Sequence, residues 1–567
     1  MATLVRVLPA LGTSLVSTLL LNCASSVTDP PKGSGGNVAT TGGAATAAGG
    51  SVAATGGAAT ATGGSAAGGA TTTSSGGSAS GGATTTTGGS TASGGTATAS
   101  GGTATASGGT TASGGAAVGG AANPSAACAL TADRIRITNV DVGGTVLSAE
   151  NWGGVSQVLA ISAVPSGGSR VAYMGNDSKV HVVTLDASDH LVAGSNVAFP
   201  GLDFVDLYAD NGGGVLLLNR DALGGGHLNC GNFDNVCGNA ASRSQAEPNA
   251  CWDMYLVRFD GAAETWATKL TNSSLADPPY RSSATASGWE QFIWASSAYP
   301  HRGRIAYDGS NYAAYYGISL ALSEACVQSD SILKTGINIH QGDRLTVVGA
   351  SGARIDAQGI DTACSHSFYQ SLAWDPAAKR FVSVCMTDNA NRLSLGNKNM
   401  AYSTIRPLVA FDQVNVAGGV VPGNNGDYWI ITSDGESASS TNANVYLLRF
   451  SIASNKATLL ETVEVAAQAN LNERAPYLAA YGTDGMVVGW ETATAGGNIR
   501  RTDTSRKLYA QVRSRSTGAA IGDAQQVSVK GNQYQDFRSF PDGSVAFPAP
   551  GDNATSVKIM RILPCSG

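Results

Sequence analysis

Charged residues are scarce in this chain of 567 residues. They make up 13% of it, with 34 Lys and Arg against 40 Asp and Glu, so the formal net charge is −6 at pH 7. No stretch is rich in Lys or Arg, which argues against nucleic acids and anionic membrane surfaces as partners. The sequence also lacks a phosphate-binding loop, a dinucleotide fingerprint, a Gly-x-Ser-x-Gly elbow and a His-Glu-x-x-His pair. No signature of the common nucleotide-dependent, serine-hydrolase or zinc-peptidase classes is therefore present.

Aromatic residues are absent between Pro31 and Pro124, and Lys32 is the only charged residue there. The tract repeats Gly, Ala, Thr and Ser. Such a composition has too little apolar surface to offset the entropy lost when a chain becomes ordered. We therefore predict a disordered linker over residues 24–124, with a reach of about 50–60 Å.

The first 23 residues have the pattern of an export signal. Arg6 is their only charge, and the apolar run from Val7 to Leu21 is too short and interrupted to span a bilayer in the mature protein. The ending Leu20-Leu21-Asn22-Cys23 resembles the bacterial lipoprotein signal, in which the cysteine becomes the lipidated first residue. This resemblance implies a protein held at the outer membrane or cell surface through Cys23. Without lipidation, the exported chain is periplasmic or secreted.

Nine cysteines are present, and eight remain once Cys23 is assigned to a lipid. An even number in an exported protein predicts disulfide bonds. Cys128 and Cys565 flank the first and last predicted strands, and we predict a disulfide between them. The pairing of the other six stays open; they are Cys230, Cys237, Cys251, Cys326, Cys364 and Cys385.

Seven segments share one pattern, in which two apolar strands flank a tight turn of Gly, Asp, Asn or Pro. They are Leu159–Gly175, Phe204–Leu218, Ile305–Gly317, Leu372–Cys385, Val420–Thr432, Leu478–Trp490 and Phe537–Phe547. Alternating third strands follow each pair, as at Lys179–Leu185 and Met400–Ile405. Such units resemble the blades of a β-propeller, and seven of them resemble a seven-bladed member. A long array of β-sandwiches is the alternative.

The resemblance implies an all-β domain over residues 125–567, built as a seven-bladed propeller of four-stranded antiparallel blades. The seventh unit stops after its third strand at Ile562, while Arg134–Val140 is a spare strand at the beginning. Pairing this N-terminal strand into the last blade would close the ring and remove two sheet edges.

Long connections between second and third strands are expected on one face of such a propeller, and the tight turns on the other. We expect function on the face with the long connections. These connections are Asp221–Cys251, Ser319–His340, Thr387–Asn399, Ser433–Asn444 and Glu491–Lys507.

The chain has six histidines, and four of them are predicted to approach this face: His227, His301, His340 and His366. The last three come from adjacent blades and could converge. Imidazole groups there would serve as ligands of a divalent transition metal or as proton-transfer groups. The metal-ligand candidates are His301, His340 and His366, and the catalytic candidates add Arg304, Arg344 and Tyr316. By analogy with propeller polysaccharide lyases, the arginines would neutralise a sugar carboxylate while His or Tyr moves a proton. Alternatively, the histidines cap strand ends.

Aromatic and acidic residues near the same face form the predicted ligand-binding set. Trp289, Trp294 and Tyr299 would stack on a sugar if exposed, or pack between blades if buried. Asp343 and Asp388 are further candidates, and the Asp-rich loops leave Ca²⁺ open as a ligand.

We therefore predict a monomeric surface recognition protein that binds a glycan or an extracellular protein, with no nucleic-acid partner and no membrane contact beyond its lipid anchor. The alternative is a polysaccharide-active enzyme, either a lyase or a metal-assisted hydrolase, at the same face. A scaffold without a small-molecule site is the third interpretation.

Overall fold

The computed structural model describes residues 125–147, 159–221, 252–272, 280–281, 290–295, 303–322, 339–355, 360–361, 370–387, 392–396, 414–424, 426–434, 443–453, 456–494, 505–532 and 534–565. In these ranges the regular structure is almost entirely strand, preceded by one 3-10 helix at Ala132–Arg134. No helix in the described part of the chain is long and apolar enough to cross a membrane.

The strands form successive antiparallel sheets, which we number in chain order. Strand β1 is Ile135–Asp141. Sheet 1 consists of β2 (Ala160–Ala163), β3 (Ser169–Met174), β4 (Lys179–Leu185) and β5 (Val197–Pro200). Sheet 2 consists of β6 (Asp203–Ala209), β7 (Gly213–Asp221), β8 (Trp252–Asp260) and β9 (Ala263–Lys269). Sheet 3 consists of β10 (Tyr280–Arg281), β11 (Glu290–Ala295), β12 (Gly303–Tyr307), β13 (Asn311–Leu322), β14 (Ile339–Gly349) and β15 (Ile360–Asp361).

The remaining sheets follow the same order. Sheet 4 consists of β16 (Gln370–Asp375), β17 (Arg380–Thr387) and β18 (Arg392–Gly396). Sheet 5 consists of β19 (Val414–Pro422), β20 (Asp427–Asp434), β21 (Val445–Ala453) and β22 (Lys456–Ala466). Sheet 6 consists of β23 (Leu471–Tyr481), β24 (Gly485–Thr494), β25 (Lys507–Ser514) and β26 (Gln525–Val527). Sheet 7 consists of β27 (Arg538–Ser539), β28 (Val545–Pro550), β29 (Ser556–Ile562) and β1.

The chain folds as an all-β propeller of four-stranded antiparallel blades. Among the described residues, six sheets have at least four strands, and sheet 4 has three. The prediction of seven four-stranded blades is therefore not met in full. The third strand of sheet 4 is β18, whose Arg392 faces Thr387 of β17, and not Met400–Ile405, which lies outside the described residues. The predicted long connection Thr387–Asn399 is wrong, because Leu393 and Leu395 alternate with polar residues and can continue the sheet.

Burial explains why the second strands are apolar on both faces. Val215, Leu216, Leu217 and Leu218 of β7 are all fully buried. A strand covered on both faces reads as a continuous apolar run, because neighbouring sheets pack on each side of it. The outer strand β9 is largely exposed, so burial decreases from the second strand to the edge of the sheet.

The tight turns have the predicted chemistry. Between β12 and β13, the Asp308 carboxylate accepts hydrogen bonds from the backbone N–H groups of Ser310 at 2.9 Å and Asn311 at 2.7 Å. Gly309 follows Asp308 in this turn and has φ +94°, a conformation that would be strained for a residue with a side chain. The Asp-Gly turn that the sequence indicated at this position is confirmed.

Apolar clusters join neighbouring sheets. One of them contains Ile161 of β2, Phe540, and Ile559 of β29, and so joins sheets 1 and 7. The first strands also contact one another in order: β2 with β6, β6 with β12, β12 with β16, β16 with β19, β19 with β23, β23 with β27, and β27 with β2. The core therefore lies between the sheets.

The two ends of the described chain lie together in sheet 7. Strand β1 pairs antiparallel with β29, from Ile135 facing Ile562 to Asp141 facing Ser556. The predicted disulfide between Cys128 and Cys565 is present.

Candidate functional site

The long connections and the tight turns lie at opposite ends of the sheets. In sheet 6, antiparallel pairing places the start of β23 beside the end of β24, with Leu471 facing Thr494. It also places the start of β25 at that end, with Lys507 facing Thr492. We call this end, where first strands begin and second strands end, the loop face, and the opposite end the turn face.

Sheet 3 brings four of the predicted site residues together near the loop face. Tyr316 faces both Gly303 and Arg344 across the sheet, and Asp343 faces Gly317. Arg304 follows Gly303 in the first strand. The structure therefore groups residues that the sequence assigned to one site, although they belong to one blade.

The side chains of this group are buried within the protein. Tyr316 is fully buried, and its hydroxyl donates to the Leu270 carbonyl oxygen at 3.0 Å and lies 2.9 Å from Thr346 Oγ1. The Asp343 carboxylate accepts a hydrogen bond from the Tyr315 hydroxyl. These contacts favour a structural role for Tyr316, and its assignment as a catalytic group stays a prediction.

The remaining predicted site residues are described only in part. His340 lies in β14, facing Leu320, and Trp294 lies in β11, facing Ser319; only their places in the sheet are described. The other candidates lie outside the described residues; they are His301, His366, Trp289, Tyr299, Asp388 and Cys23. In the described part of the chain, no three His, Cys, Asp or Glu side chains lie close enough to hold a metal ion.

Arg304 belongs to a charged network that joins the first strands of three sheets. Its Nε donates to Asp536 Oδ2 at 2.5 Å, and both side chains are largely buried. The Asp206 carboxylate accepts from the Ile305 N–H at 2.8 Å and from Arg538. Burial by itself would lower the pKa of Arg304, but Asp536 and Asp206 outweigh burial and raise that pKa. The sequence alone did not reveal Asp206, Asp536 and Arg538, whose one common signal is a position in or just before a first strand.

Glu473 is a buried carboxyl group at the loop face. Its Oε2 accepts the Gln468 N–H at 3.2 Å, while its Oε1 has no hydrogen-bond partner among the described residues. Burial raises the pKa of Glu473 to about 7, and the nearby Glu464 and Asp434 add to the effect. A carboxyl group that keeps its proton near neutral pH differs chemically from every candidate that the sequence suggested.

The Glu473→Gln variant is expected to change how stability depends on pH. In the unfolded chain the carboxyl loses its proton near pH 4.5, whereas in the folded protein it keeps it to about pH 7. The free energy of unfolding of the native protein therefore falls as the pH rises from about 4.5 to 7. In thermal melts, the melting temperature of the variant relative to that of the native protein should be higher at pH 8 than at pH 4. An identical pH dependence of the two proteins would contradict the assignment.

A cavity of about 560 Å³ lies at the loop face between sheets 6, 7 and 1. Its walls come from the starts of β25 and β29, the end of β28, and the segment after β26. They are Val146, Leu159, Arg506, Lys507, Gln526, Val527, Ser528, Val529, Lys530, Pro550, Gly551, Asn553, Ala554, Ser556 and Lys558. The volume is within the roughly 300–1,000 Å³ typical of small-ligand sites.

The cavity wall combines cations with hydroxyl and amide groups. Arg506, Lys507, Lys530 and Lys558 line it, and none of the lining residues is acidic. The sequence contains no sign of this site, because its four cations are spread over residues 506–558 and form no basic run.

Comparisons with known proteins indicate the fold only. No protein-family model matches the chain, and neither does any curated protein. Among solved structures, the WD40 domain of Toxoplasma gondii coronin is 8% identical, with a TM-score of 0.37, and the match covers 78% of this chain and 90% of that one. AofleA from Arthrobotrys oligospora is 9% identical, with a TM-score of 0.31 and coverage of 70% and 91%.

A third structure, a PL25 polysaccharide lyase described as an ulvan lyase, is 11% identical, with a TM-score of 0.28 and coverage of 68% and 98%. At such identities and TM-scores these neighbours indicate no ligand or activity for this chain.

Proposed function

We propose that this protein binds a glycan in the loop-face cavity. The observation that carries the proposal is a cavity of about 560 Å³ lined by hydrogen-bonding side chains. Gln526, Ser528 and Asn553 are exposed within its wall, so their amide and hydroxyl groups are available to sugar hydroxyls. The position agrees with the expectation that function lies on the face with the long connections.

Blocking the cavity tests this function. Ser528→Trp would fill the space from an exposed wall position, so the fold should be retained while a sugar is excluded. Ser166→Trp makes the same change at an exposed residue of the β2–β3 turn, on the turn face. In a glycan-array measurement on the full-length chain, we expect the native protein and Ser166→Trp to bind the same glycans and Ser528→Trp to lose them. Absence of binding by the native protein, or unchanged binding by Ser528→Trp, would refute the proposal.

The enzymatic alternative, a polysaccharide lyase or hydrolase, stays a prediction from the sequence. Its histidines are His301 and His366, outside the described residues, and His340, whose side chain is not described. No observation in the described part of the chain favours a lyase or hydrolase over binding. Export and lipidation at Cys23 likewise stay predictions from the sequence, as does the monomeric state.

We further propose that the blades form a closed ring of seven, with β1 as the outer strand of the last one. Two observations support this: the first strands contact one another in a series that returns from β27 to β2, and an apolar cluster joins sheets 7 and 1.

A further inference from the structure

The charges around the loop-face cavity are unbalanced. The whole protein carries a formal net charge of −6, yet four cationic side chains line this cavity and no carboxylate does. Arg506 is a buried residue whose Nη2 lies 2.8 and 2.9 Å from the two oxygens of Glu491, so its charge is balanced inside the fold. The other three cations are the lysines.

The lysines differ in how they are balanced. Lys558 lies 2.5 Å from Asp552, which is 61% exposed, and such a surface pair contributes little. Lys507 is exposed and has no carboxylate partner within the described part of the chain. Lys530 is exposed on the segment after β26. The charge of Lys507 is therefore exposed at the cavity wall without a described carboxylate to balance it.

The lining favours a ligand that accepts hydrogen bonds. Lys and Arg are donors without any acceptor, while the Ser528 hydroxyl and the Asn553 side-chain amide supply further donors. A neutral sugar offers hydroxyl groups that both donate and accept, and it would leave the positive charge of Lys507 uncompensated. A carboxylate or sulfate group would match both the charge and the donors, because hydrogen bonds between ions are shorter and stronger than neutral ones.

We propose that the cavity binds the anionic group of an acidic glycan, either a uronate carboxylate or a sulfate ester. The inference rests on the proposed glycan binding and adds the class of sugar. Lys507 is the residue that distinguishes the acidic form from a neutral one, since its charge is exposed at the cavity wall and is not balanced by the described residues.

Calorimetric titration of the full-length chain with paired probes tests this. One pair is an oligogalacturonate and its methyl ester; the other is a sulfated oligosaccharide and its desulfated form. We expect one acidic probe to bind at least about tenfold more tightly than its neutral partner, and the pair that shows this identifies the source of the charge. Lys507→Gln should weaken binding of that probe by roughly three- to tenfold and leave the neutral probe unaffected. Lys379→Gln, an exposed turn-face control with the same charge change, should alter neither.

The outcomes separate this inference from the function on which it rests. Equal affinity for the acidic and neutral forms of both pairs, with binding still lost in Ser528→Trp, would overturn the charge preference and keep glycan binding. Binding of acidic probes that Lys507→Gln leaves unchanged would overturn it too. Competition by inorganic sulfate at the concentration of the sugar would also overturn it, because the site would then bind an anion without recognising the sugar. No binding of any probe would overturn both proposals.

Discussion

Removing the Cys128–Cys565 disulfide is expected to lower the melting temperature of the protein by about 6 °C. The bond joins residues separated by 437 positions, so it closes a loop that contains nearly all of the folded chain. Cross-linking such a loop restricts the unfolded state, and the chain-entropy estimate for a loop of this length is about 6 kcal/mol. At about 2.1 cal/mol/K per residue, a domain of roughly 440 residues converts each kcal/mol into about 1 °C.

The test compares the native chain with the Cys128→Ala/Cys565→Ala variant in thermal melts without reductant. The double variant is preferable to chemical reduction, because the chain has seven cysteines outside this pair, and any disulfide among them would also respond to a reductant. Adding reductant to the variant then gives a separate measure of any other disulfide. If the melting temperature of the variant equals that of the native protein, the disulfide does not stabilise the fold.

The strand positions could be predicted from the sequence because they depend on local chemistry. The Asp308-Gly309 turn, the apolar run of β7 and the alternation in β4 are all set by neighbouring residues. The disulfide could also be predicted, since Cys128 and Cys565 lie just outside the first and last predicted strands. In sheet 4 the same reasoning misplaced the third strand, because two alternating segments follow β17 and local pattern does not decide which of them pairs.

The candidate site could not be predicted, since it depends on contacts between distant segments. Asp206, Arg304 and Asp536 form one network although 98 and 232 residues separate them in turn. Likewise, Lys507 and Lys558 line one cavity only because sheets 6 and 7 pack side by side. The sequence contains no local signal for either arrangement. The histidine pattern in the sequence pointed to sheet 3, which contains His340, and not to the boundary between sheets 6 and 7.

The second large effect is expected from Asp189, a fully buried carboxylate in the β4–β5 connection of sheet 1. It accepts hydrogen bonds from Arg561 of β29, the shortest being 2.5 Å, and from Arg136 of β1 at 2.6 Å. The two arginines face each other across the strand pair, so their like charges lie side by side. Asp189, in a connection of sheet 1, therefore provides the negative charge that balances two cations of sheet 7.

Asp189→Asn is expected to reduce the free energy of unfolding by about 3–5 kcal/mol, because it leaves the buried Arg561 without a counter-charge. Asn is the suitable substitution, since residue 189 has φ +64° and Asn tolerates that conformation. The measurement is denaturant unfolding at neutral pH. Asp523→Asn, the same chemical change at an exposed residue of the β25–β26 connection, is the control and should cost less than about 0.5 kcal/mol.

A double variant separates loss of the ion pair from general damage to the connection. In Asp189→Asn/Arg561→Met the buried cation is removed together with its partner, and Met can occupy the space over Phe540, where the Arg561 guanidinium lies 4.1 Å from the ring centroid. Replacing both charges should recover part of the stability that Asp189→Asn loses. If the two changes simply add, Asp189 acts through the shape of its loop, and the electrostatic link between sheets 1 and 7 is refuted.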